Sequence, residues 1–305
     1  MSRLRGDGER HKIVIMFEGF EAGITRIGDV DIFRRIGGEG SPLLLLHGYP
    51  QTHLMWHKVA PSLAQRFTVI CPDTRGYGAS SKPAPDPENL LYSKRAMAAD
   101  MVGLMAELGF ETFAVAGHDR GGRVAYRMAL DHPELVTKIA TLDIVPTLSN
   151  WNRMADMAIG LRTYHWYFLA QSDGLPERMI AADPDDYLEH TIRSWVKNFD
   201  AIGDDAMRAY KAAFRDPAAI AAACADYRAG ATTDVDHDRA DFGMRKIVAP
   251  LLALWGGKGL ATDKSGQIEI WRQWAEDVRG QQFPCGHFLA EEAPLETIEA
   301  LLAFF

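Results

Sequence analysis

Residues 117–122 are the strongest candidate for a reactive site in this 305-residue chain. They read GHDRGG and stand directly between the apolar run 113–117 and a segment of helical composition. The pattern Gly-x-nucleophile-x-Gly at a strand-to-helix turn presents its central residue on a strained corner. Here that residue is Asp119, where such turns usually have serine. A carboxylate can attack a saturated carbon and form an ester, so Asp119 predicts nucleophilic substitution. The alternative is a glycine-rich turn with an incidental aspartate.

Hydrolysis of such an ester needs a general base. In this type of turn the histidine follows late in the chain, and His287, in the loop sequence PCGHFL, fits that order. The alternative is that His287 is only structural.

The acid that orients the histidine has two candidates. Asp143 ends the apolar run 139–142, whereas the run 251–255 is followed by glycines with no carboxylate before Asp263. Because sites of open parallel sheets lie at the carboxyl ends of strands, we favour Asp143 over Asp263.

Residues 47–50, which read HGYP, follow another apolar run at 43–46. The backbone N–H of Tyr49 can join that of Arg120 in stabilising the negative charge that develops when water attacks the ester. Alone, the HGYP sequence is also compatible with a simple turn.

Two arginines, Arg120 and Arg123, flank the nucleophile. Burying both unpaired is costly unless a second carboxylate, on the substrate, accepts their hydrogen bonds. The pair therefore predicts an anionic substrate. The alternative is that one or both pair with protein carboxylates.

Aromatic side chains stand at 164–167 (YHWY) and at Tyr227. From spacing alone they are interpreted as core residues of a helical cap. His165, the Trp166 indole and the Tyr227 hydroxyl could instead donate hydrogen bonds to a departing halide.

Apolar runs alternate with helical stretches, which predicts the α/β class with a mostly parallel sheet covered by helices on both faces. From 146 to 239 the chain is rich in Trp, Tyr, Met and Ala and lacks β-branched runs, which predicts an inserted helical cap. The strand pattern resumes at 246–255. The predicted domains are therefore a core of residues 17–145 and 240–305 and a cap of residues 146–239.

The formal net charge of −8 gives no general attraction to nucleic acid or to an anionic membrane. An anionic substrate would need a local cationic pocket. Three scattered cysteines, Cys71, Cys224 and Cys285, argue against a disulfide framework or a zinc site and fit a reducing cytoplasm. Residues 1–16 have neither signal-peptide nor membrane-span character, and we expect a disordered extension there.

The chain resembles the fluoroacetate (haloacetate) dehalogenases of the α/β-hydrolase superfamily. The resemblance runs from about Met16 through almost the whole chain. It is carried by the segments 47–51 (HGYPQ), 73–83 (DTRGYGASSKP), 117–123 (GHDRGGR), 142–147 (LDIVPT), 164–166 (YHW), 182–185 (ADPD), 226–229 (DYRA) and 286–288 (GHF). The first and third segments are shared with epoxide hydrolases, whereas the second arginine together with His-Trp and the later Tyr is specific.

This resemblance implies hydrolysis of haloacetates, such as fluoroacetate to glycolate and fluoride, by an α/β-hydrolase fold with a helical cap. The implied catalytic triad is Asp119, His287 and Asp143. The resemblance also implies a homodimer, and it implies neither a metal nor an organic cofactor. The roles it implies for the remaining site residues are carboxylate binding by Arg120 and Arg123 and halide binding by His165, Trp166 and Tyr227.

Three other functions remain open from the residues. An epoxide hydrolase would use the same triad with two acidic cap hydroxyls, for which Tyr164, Tyr167 and Tyr227 are candidates, although the arginine pair counts against it. A haloalkane dehalogenase is disfavoured because Arg120 stands where an indole donor would be expected. A non-catalytic receptor on a hydrolase fold is disfavoured by the complete triad.

Overall fold

The computed structural model describes residues 16–261 and 266–305. The predicted extension at residues 1–16 therefore lies outside the described residues, except for Met16. Short apolar runs of the sequence form the strands, which are β1 Glu21–Ile27, β2 Val30–Gly37, β3 Ser41–Leu46, β4 Phe67–Pro72, β5 Phe113–His118, β6 Val136–Leu142, β7 Leu251–Gly256 and β8 Val278–Phe283.

These strands form one sheet in the order β1-β2-β4-β3-β5-β6-β7-β8. Strand β2 is antiparallel to both β1 and β4, and every other neighbouring pair is parallel. In β3, Leu43, Leu44, Leu45 and Leu46 are all fully buried, as expected of a strand covered on both faces. The predicted α/β class is confirmed.

Two groups of helices accompany the sheet. Those that alternate with the strands or follow them are α1 Ala60–Leu63, α2 Lys94–Glu107, α3 Asp119–Asp131, α12 Gln267–Arg272, α13 Leu289–Glu292 and α14 Pro294–Phe304. Those between β6 and β7, called the cap helices below, are α4 Thr147–Arg153, α5 Met157–Arg162, α6 His165–Leu169, α7 Leu175–Ala182, α8 Pro184–Trp195, α9 Asp204–Phe214, α10 Pro217–Ala231 and α11 Thr233–Asp241. Short 3₁₀ turns occur at His53–Trp56 and Phe199–Ala201.

The cap helices begin at residues suited to starting helices. Asp156, Asp183 and Asp216 each accept a hydrogen bond from a backbone N–H of the first turn, and Pro184 and Pro217 follow two of these caps directly. Helix α11 extends to Asp241, across the predicted boundary at 239. The division into core and cap stays a prediction.

The strand predicted from the apolar run 251–255 is confirmed, but the strand pattern expected from residue 246 onward is not continuous with it. Strand β7 begins only at Leu251, and before it Ile247 makes an isolated bridge to Ala275. Pro250 has no backbone N–H to contribute to a ladder, which explains the interruption.

Parallel strands bring their carboxyl ends to the same edge of the sheet. Residue 118 of β5 pairs with residue 142 of β6, so the residues that follow them, Asp119 and Asp143, emerge side by side. The sites of open α/β sheets lie at this edge. Within the described ranges no helix is both long and apolar enough to cross a membrane.

Candidate active site

Asp119 is the first residue of α3 and has a left-handed backbone conformation with φ of 46°. This conformation is sterically strained for any residue other than glycine, and such strain is found at sharp functional turns. The turn is tight because its glycines lack side chains. A Cβ atom on Gly121 would collide with the backbone carbonyl of His47, and one on Gly48 would collide with the Asp119 side chain.

The Asp119 carboxylate is held in place by the loop after β3. The backbone N–H of Tyr49 donates to Asp119 Oδ1 at 2.9 Å. The loop itself is fixed by the buried His47 ring, whose Nε2 accepts from the Thr74 backbone N–H at 3.0 Å. Tyr49 therefore lies where the oxyanion prediction requires it, next to the first turn of α3, where helical N–H groups lack intrahelical acceptors.

His287 stands between two carboxylates. Its Nδ1 lies 2.6 Å from Asp143 Oδ2, and its Nε2 lies 3.8 Å from Asp119 Oδ2. Within the described part of the chain, Nε2 is buried and has no hydrogen-bond partner. The structure thus brings the three predicted residues together in the order acid, base, nucleophile, with one imidazole nitrogen free.

Asp143 is held by the loop after β7. Its carboxylate accepts from the backbone N–H groups of Leu260 at 2.7 Å and Gly256 at 3.1 Å. The alternative acid, Asp263, lies outside the described residues. The contact between Asp143 and His287 agrees with the preference for Asp143.

Several charges set the ionisation of Asp119. Burial raises the pKa of its carboxyl, but the imidazoles of His287 and His118 and the guanidiniums of Arg120 and Arg123 together hold this pKa below its usual value. Asp119 is therefore a carboxylate at neutral pH, as a nucleophile must be.

The two arginines differ in their partners. Arg120 forms an ion pair with Asp226, through Nε at 3.0 Å and Nη2 at 2.5 Å. Arg120 therefore pairs with a protein carboxylate, which was the alternative to an anionic substrate. Its Nη1 is buried without a partner among the described residues. Arg123 donates from Nη1 to the Val145 carbonyl at 2.8 Å, and its buried Nε has no partner in the same ranges.

These contacts leave Arg123 as a buried cation that lies near Asp119 but has no hydrogen-bonded carboxylate among the described residues. No carboxylate of the described residues forms an ion pair with it, and burial together with neighbouring Arg120 lowers the pKa of its guanidinium. Its guanidinium carbon lies 4.4 Å from the Trp166 ring centre, so the indole supports the charge by a cation–π contact. A bound anion would remove the remaining cost of burying this charge.

The predicted halide donors are clustered. The ring centres of His165 and Trp166 each lie 5.5 Å from that of Tyr227. Both nitrogens of His165 and the hydroxyl of Tyr227 are buried without a partner, considering residues 16–261 and 266–305. Burial lowers the pKa of His165 to about 3, so its imidazole is neutral at pH 7 and offers one N–H.

A small cavity lies beside the predicted triad. Asp119, Asp143, His287, Arg123 and Trp166 all line it. Arg120, His165 and Tyr227 do not belong to its lining; the Arg120 guanidinium and the Tyr227 ring contact Trp166. Among the described residues no cluster of His, Cys, Asp and Glu suited to a metal ion is found.

Two residues with contacts at the site were missed from the sequence. Asp226 directly precedes Tyr227 and could have been considered as a partner for an arginine. Trp195 had no comparable signal: its ring lies 4.4 Å from His165 and 5.4 Å from His287, and its carbonyl accepts from the His287 N–H at 3.0 Å.

Comparison with known proteins places this chain in a family. The model of the alpha/beta hydrolase fold matches residues 41–294. A fluoroacetate dehalogenase of Burkholderia sp. is 44% identical over 290 residues, which cover 95% of each chain. A soluble epoxide hydrolase of Corynebacterium sp. (strain C12) is 33% identical over 88% of this chain and 91% of its own. The crystal structure of ALR0039 from Nostoc sp. PCC 7120 matches with a TM-score of 0.92 and 51% identity, covering 94% of this chain and 98% of that one.

The resemblance stated from the sequence motifs is thus confirmed across nearly the full length of the chain, whereas the roles of individual site residues stay predictions. The chain belongs to the α/β-hydrolase family, in the part of it that contains the fluoroacetate dehalogenase of Burkholderia sp..

Proposed function

We propose that this protein is a haloacetate dehalogenase that converts fluoroacetate to glycolate and fluoride through an ester of Asp119. One observation carries the proposal: a buried carboxylate nucleophile, paired with a His–Asp dyad, faces a small cavity whose wall includes an arginine without an ion-pair partner among the described residues. The similarity to the Burkholderia fluoroacetate dehalogenase supports the same chemistry.

In the first step the substrate carboxylate binds to the N–H groups of Arg123 and Arg120 that have no partner among the described residues. Asp119 Oδ2 attacks the α-carbon, because Oδ1 is engaged by the Tyr49 N–H. A carbon–oxygen bond forms as the carbon–halogen bond breaks, and the halide leaves with the bonding electrons. His165, Trp166 and Tyr227 would donate hydrogen bonds to the departing halide, which is essential for fluoride because it is a poor leaving group without such donors.

In the second step water attacks the carboxyl carbon of the Asp119 ester. His287 Nε2 accepts a proton from this water, and Asp143 stabilises the resulting imidazolium. The negative charge on the former carbonyl oxygen is stabilised by the N–H groups of Tyr49 and Arg120. The tetrahedral intermediate then releases glycolate, which takes up the proton from His287, and the Asp119 carboxyl group loses its own proton to solvent, which regenerates the carboxylate. The scheme uses only side chains and backbone groups of this chain.

The decisive experiment compares Asp119→Asn with His287→Asn. Asp119→Asn should release no halide from fluoroacetate, because the amide is a poor nucleophile. His287→Asn should release about one equivalent of halide per site and then stop, with an added glycolyl mass on the intact protein. Sustained halide release by Asp119→Asn, or a His287→Asn protein that is inactive and carries no adduct, would refute the two-step scheme.

The second candidate is an epoxide hydrolase, favoured by the Corynebacterium relative and by the free hydroxyl of Tyr227. The other two candidate tyrosines argue against it, because Tyr164 and Tyr167 are 42% and 45% exposed. The small cavity also suits a two-carbon acid better than an aryl epoxide. With equal concentrations of fluoroacetate, chloroacetate and styrene oxide, we expect halide release from the two acids and no diol. Diol formation without halide release would select the epoxide hydrolase.

A further inference from the structure

The loop that carries His287 depends on one carboxyl group. Glu292 Oε2 accepts from the Gly286 backbone N–H at 3.0 Å, and Glu292 Oε1 accepts from the Phe288 backbone N–H at 3.1 Å. The residues on both sides of the base are therefore bound to the same side chain. A short loop between β8 and α13 has no ladder or helix partners for these N–H groups, so a side chain must supply them.

The same carboxyl group also binds the cap. Glu292 Oε2 accepts from the backbone N–H groups of Lys197 at 2.8 Å and Asn198 at 3.2 Å. These residues follow Trp195, whose carbonyl accepts from the His287 N–H. Glu292 and the end of α8 together fix three consecutive N–H groups, those of residues 286–288.

The packing of the His287 loop against residues 195–197 requires a glycine at position 286. A Cβ atom on Gly286 would lie 2.5 Å from the Lys197 nitrogen and 2.7 Å from both Glu292 Oε1 and the Trp195 carbonyl oxygen. The loop and the cap segment therefore approach as closely as backbone allows. From the other side, the His287 carbonyl lies 2.8 Å from His118 Nε2.

We propose that Glu292 is a positioning residue for the hydrolysis of the Asp119 ester: it fixes the His287 loop against the cap segment 195–198. The inference rests on the proposed function. Glu292 does not belong to the lining of the cavity beside Asp119, so its effect is exerted through the loop that carries His287. Because His287 takes part in the second step only, loss of Glu292 slows ester hydrolysis and leaves the attack by Asp119 largely unchanged.

The test measures the two steps separately in Glu292→Ala, with Glu292→Gln as a graded variant that retains one acceptor oxygen. We expect a rapid burst of about one equivalent of halide from chloroacetate at nearly the wild-type rate, followed by turnover slowed by about 10- to 100-fold. The Asp119 adduct should accumulate in the intact mass spectrum. The steady-state turnover rate of Glu292→Gln should lie between those of Glu292→Ala and the wild type. The burst also reports folding, since an unfolded protein cannot produce it.

The controls separate this inference from the proposed function. Glu296→Ala removes an exposed glutamate of α14 and should turn over like the wild type. His287→Asn shows the adduct of a fully blocked second step. If His287→Asn accumulates the adduct and Glu292→Ala does not, or if Glu292→Ala slows both steps equally, Glu292 is not a positioning residue. If neither variant accumulates it, the two-step scheme itself fails.

Discussion

The charge states of individual buried side chains fit the roles proposed for them. Asp119 is kept charged by the imidazoles and guanidiniums around it, and His165 is kept neutral by burial. Glu291 differs from Asp119 because its pKa is raised and not lowered. It is buried beneath the loop after β3, and burial raises the pKa of its carboxyl to about 8. Its carboxyl group bonds to the Gln51 amide and to the Tyr210 hydroxyl, and the Lys58 ammonium donates to its backbone carbonyl.

This raised pKa predicts that part of the stability is lost as the pH rises. Between the ordinary glutamate pKa and about 8, folded Glu291 retains a proton that the unfolded chain releases. The free energy of unfolding therefore falls by about 1.4 kcal/mol per pH unit in this window. Glu291→Gln mimics the protonated form. Between pH 5.5 and 7.5 its free energy of unfolding should therefore fall by roughly 2 kcal/mol less than that of the wild type.

Urea unfolding at both pH values measures the difference. Glu299→Gln, which changes an exposed glutamate of α14, is the control and should follow the wild type. An unchanged pH dependence in Glu291→Gln would contradict the prediction.

At the scale of elements, the site is built by loops that leave the carboxyl edge of the sheet. The loop after β3 supplies the Tyr49 N–H, the turn after β5 supplies Asp119, and the loop after β8 supplies His287. The loop after β7 has no catalytic side chain in its described part, yet it binds Asp143 with backbone N–H groups. This binding brings the loop so close that Gly259 faces the Asp143 carboxylate directly.

Gly259→Ala should therefore displace the acid. Its Cβ atom would lie 2.5 Å from Asp143 Oδ2, and Asp143 has no free space because it is bonded to both the loop and His287. We expect steady-state turnover to fall by roughly 100-fold, with accumulation of the Asp119 ester. Gly257→Ala is the matched control, since the closest atom to its Cβ would be the end of the flexible Gln282 side chain, and the Phe283 carbonyl oxygen would lie at an ordinary contact distance of 3.5 Å. Equal effects of the two substitutions on turnover would show that loop geometry at Gly259 is unimportant.

At the scale of the whole molecule, buried ion pairs join the cap helices to the rest of the chain. Lys94, on α2, forms ion pairs with Asp226 on α10 and, at 3.5 Å, with Asp234 on α11. Asp226 in turn binds Arg120. One network thus connects the packing of the cap to the arginine next to the nucleophile. The expected homodimer and cytoplasmic location stay predictions.

Removing Lys94 should destabilise the whole protein. Lys94→Met leaves Asp234 without its ammonium partner and removes one of the two cations that bind Asp226. Breaking a buried pair in this way costs about 3–5 kcal/mol. We expect a fall in Tm of roughly 2–4 °C for each kcal/mol. Thermal unfolding followed by circular dichroism measures it.

The neighbouring Arg95→Met is the control for this prediction. Arg95 binds Asp131 with a side chain that is 45% exposed, so its loss should cost less than about 1 kcal/mol. If Lys94→Met and Arg95→Met have the same Tm, the buried network adds nothing to stability.

The sequence by itself determined the α/β class, four of the strands and the strand-to-helix turn at Asp119, and it singled out Asp119, His287 and Asp143, which the structure brings together. These features follow from local rules, because apolar runs, glycines and short motifs act over a few residues of the chain. Only the tertiary structure decided how Arg120 is paired, since its partner Asp226 lies 106 residues away. The same holds for Trp195 beside His287 and for Glu292 beneath the base loop. No spacing rule connects such residues, because the packing of segments that are far apart in the chain determines which side chains meet.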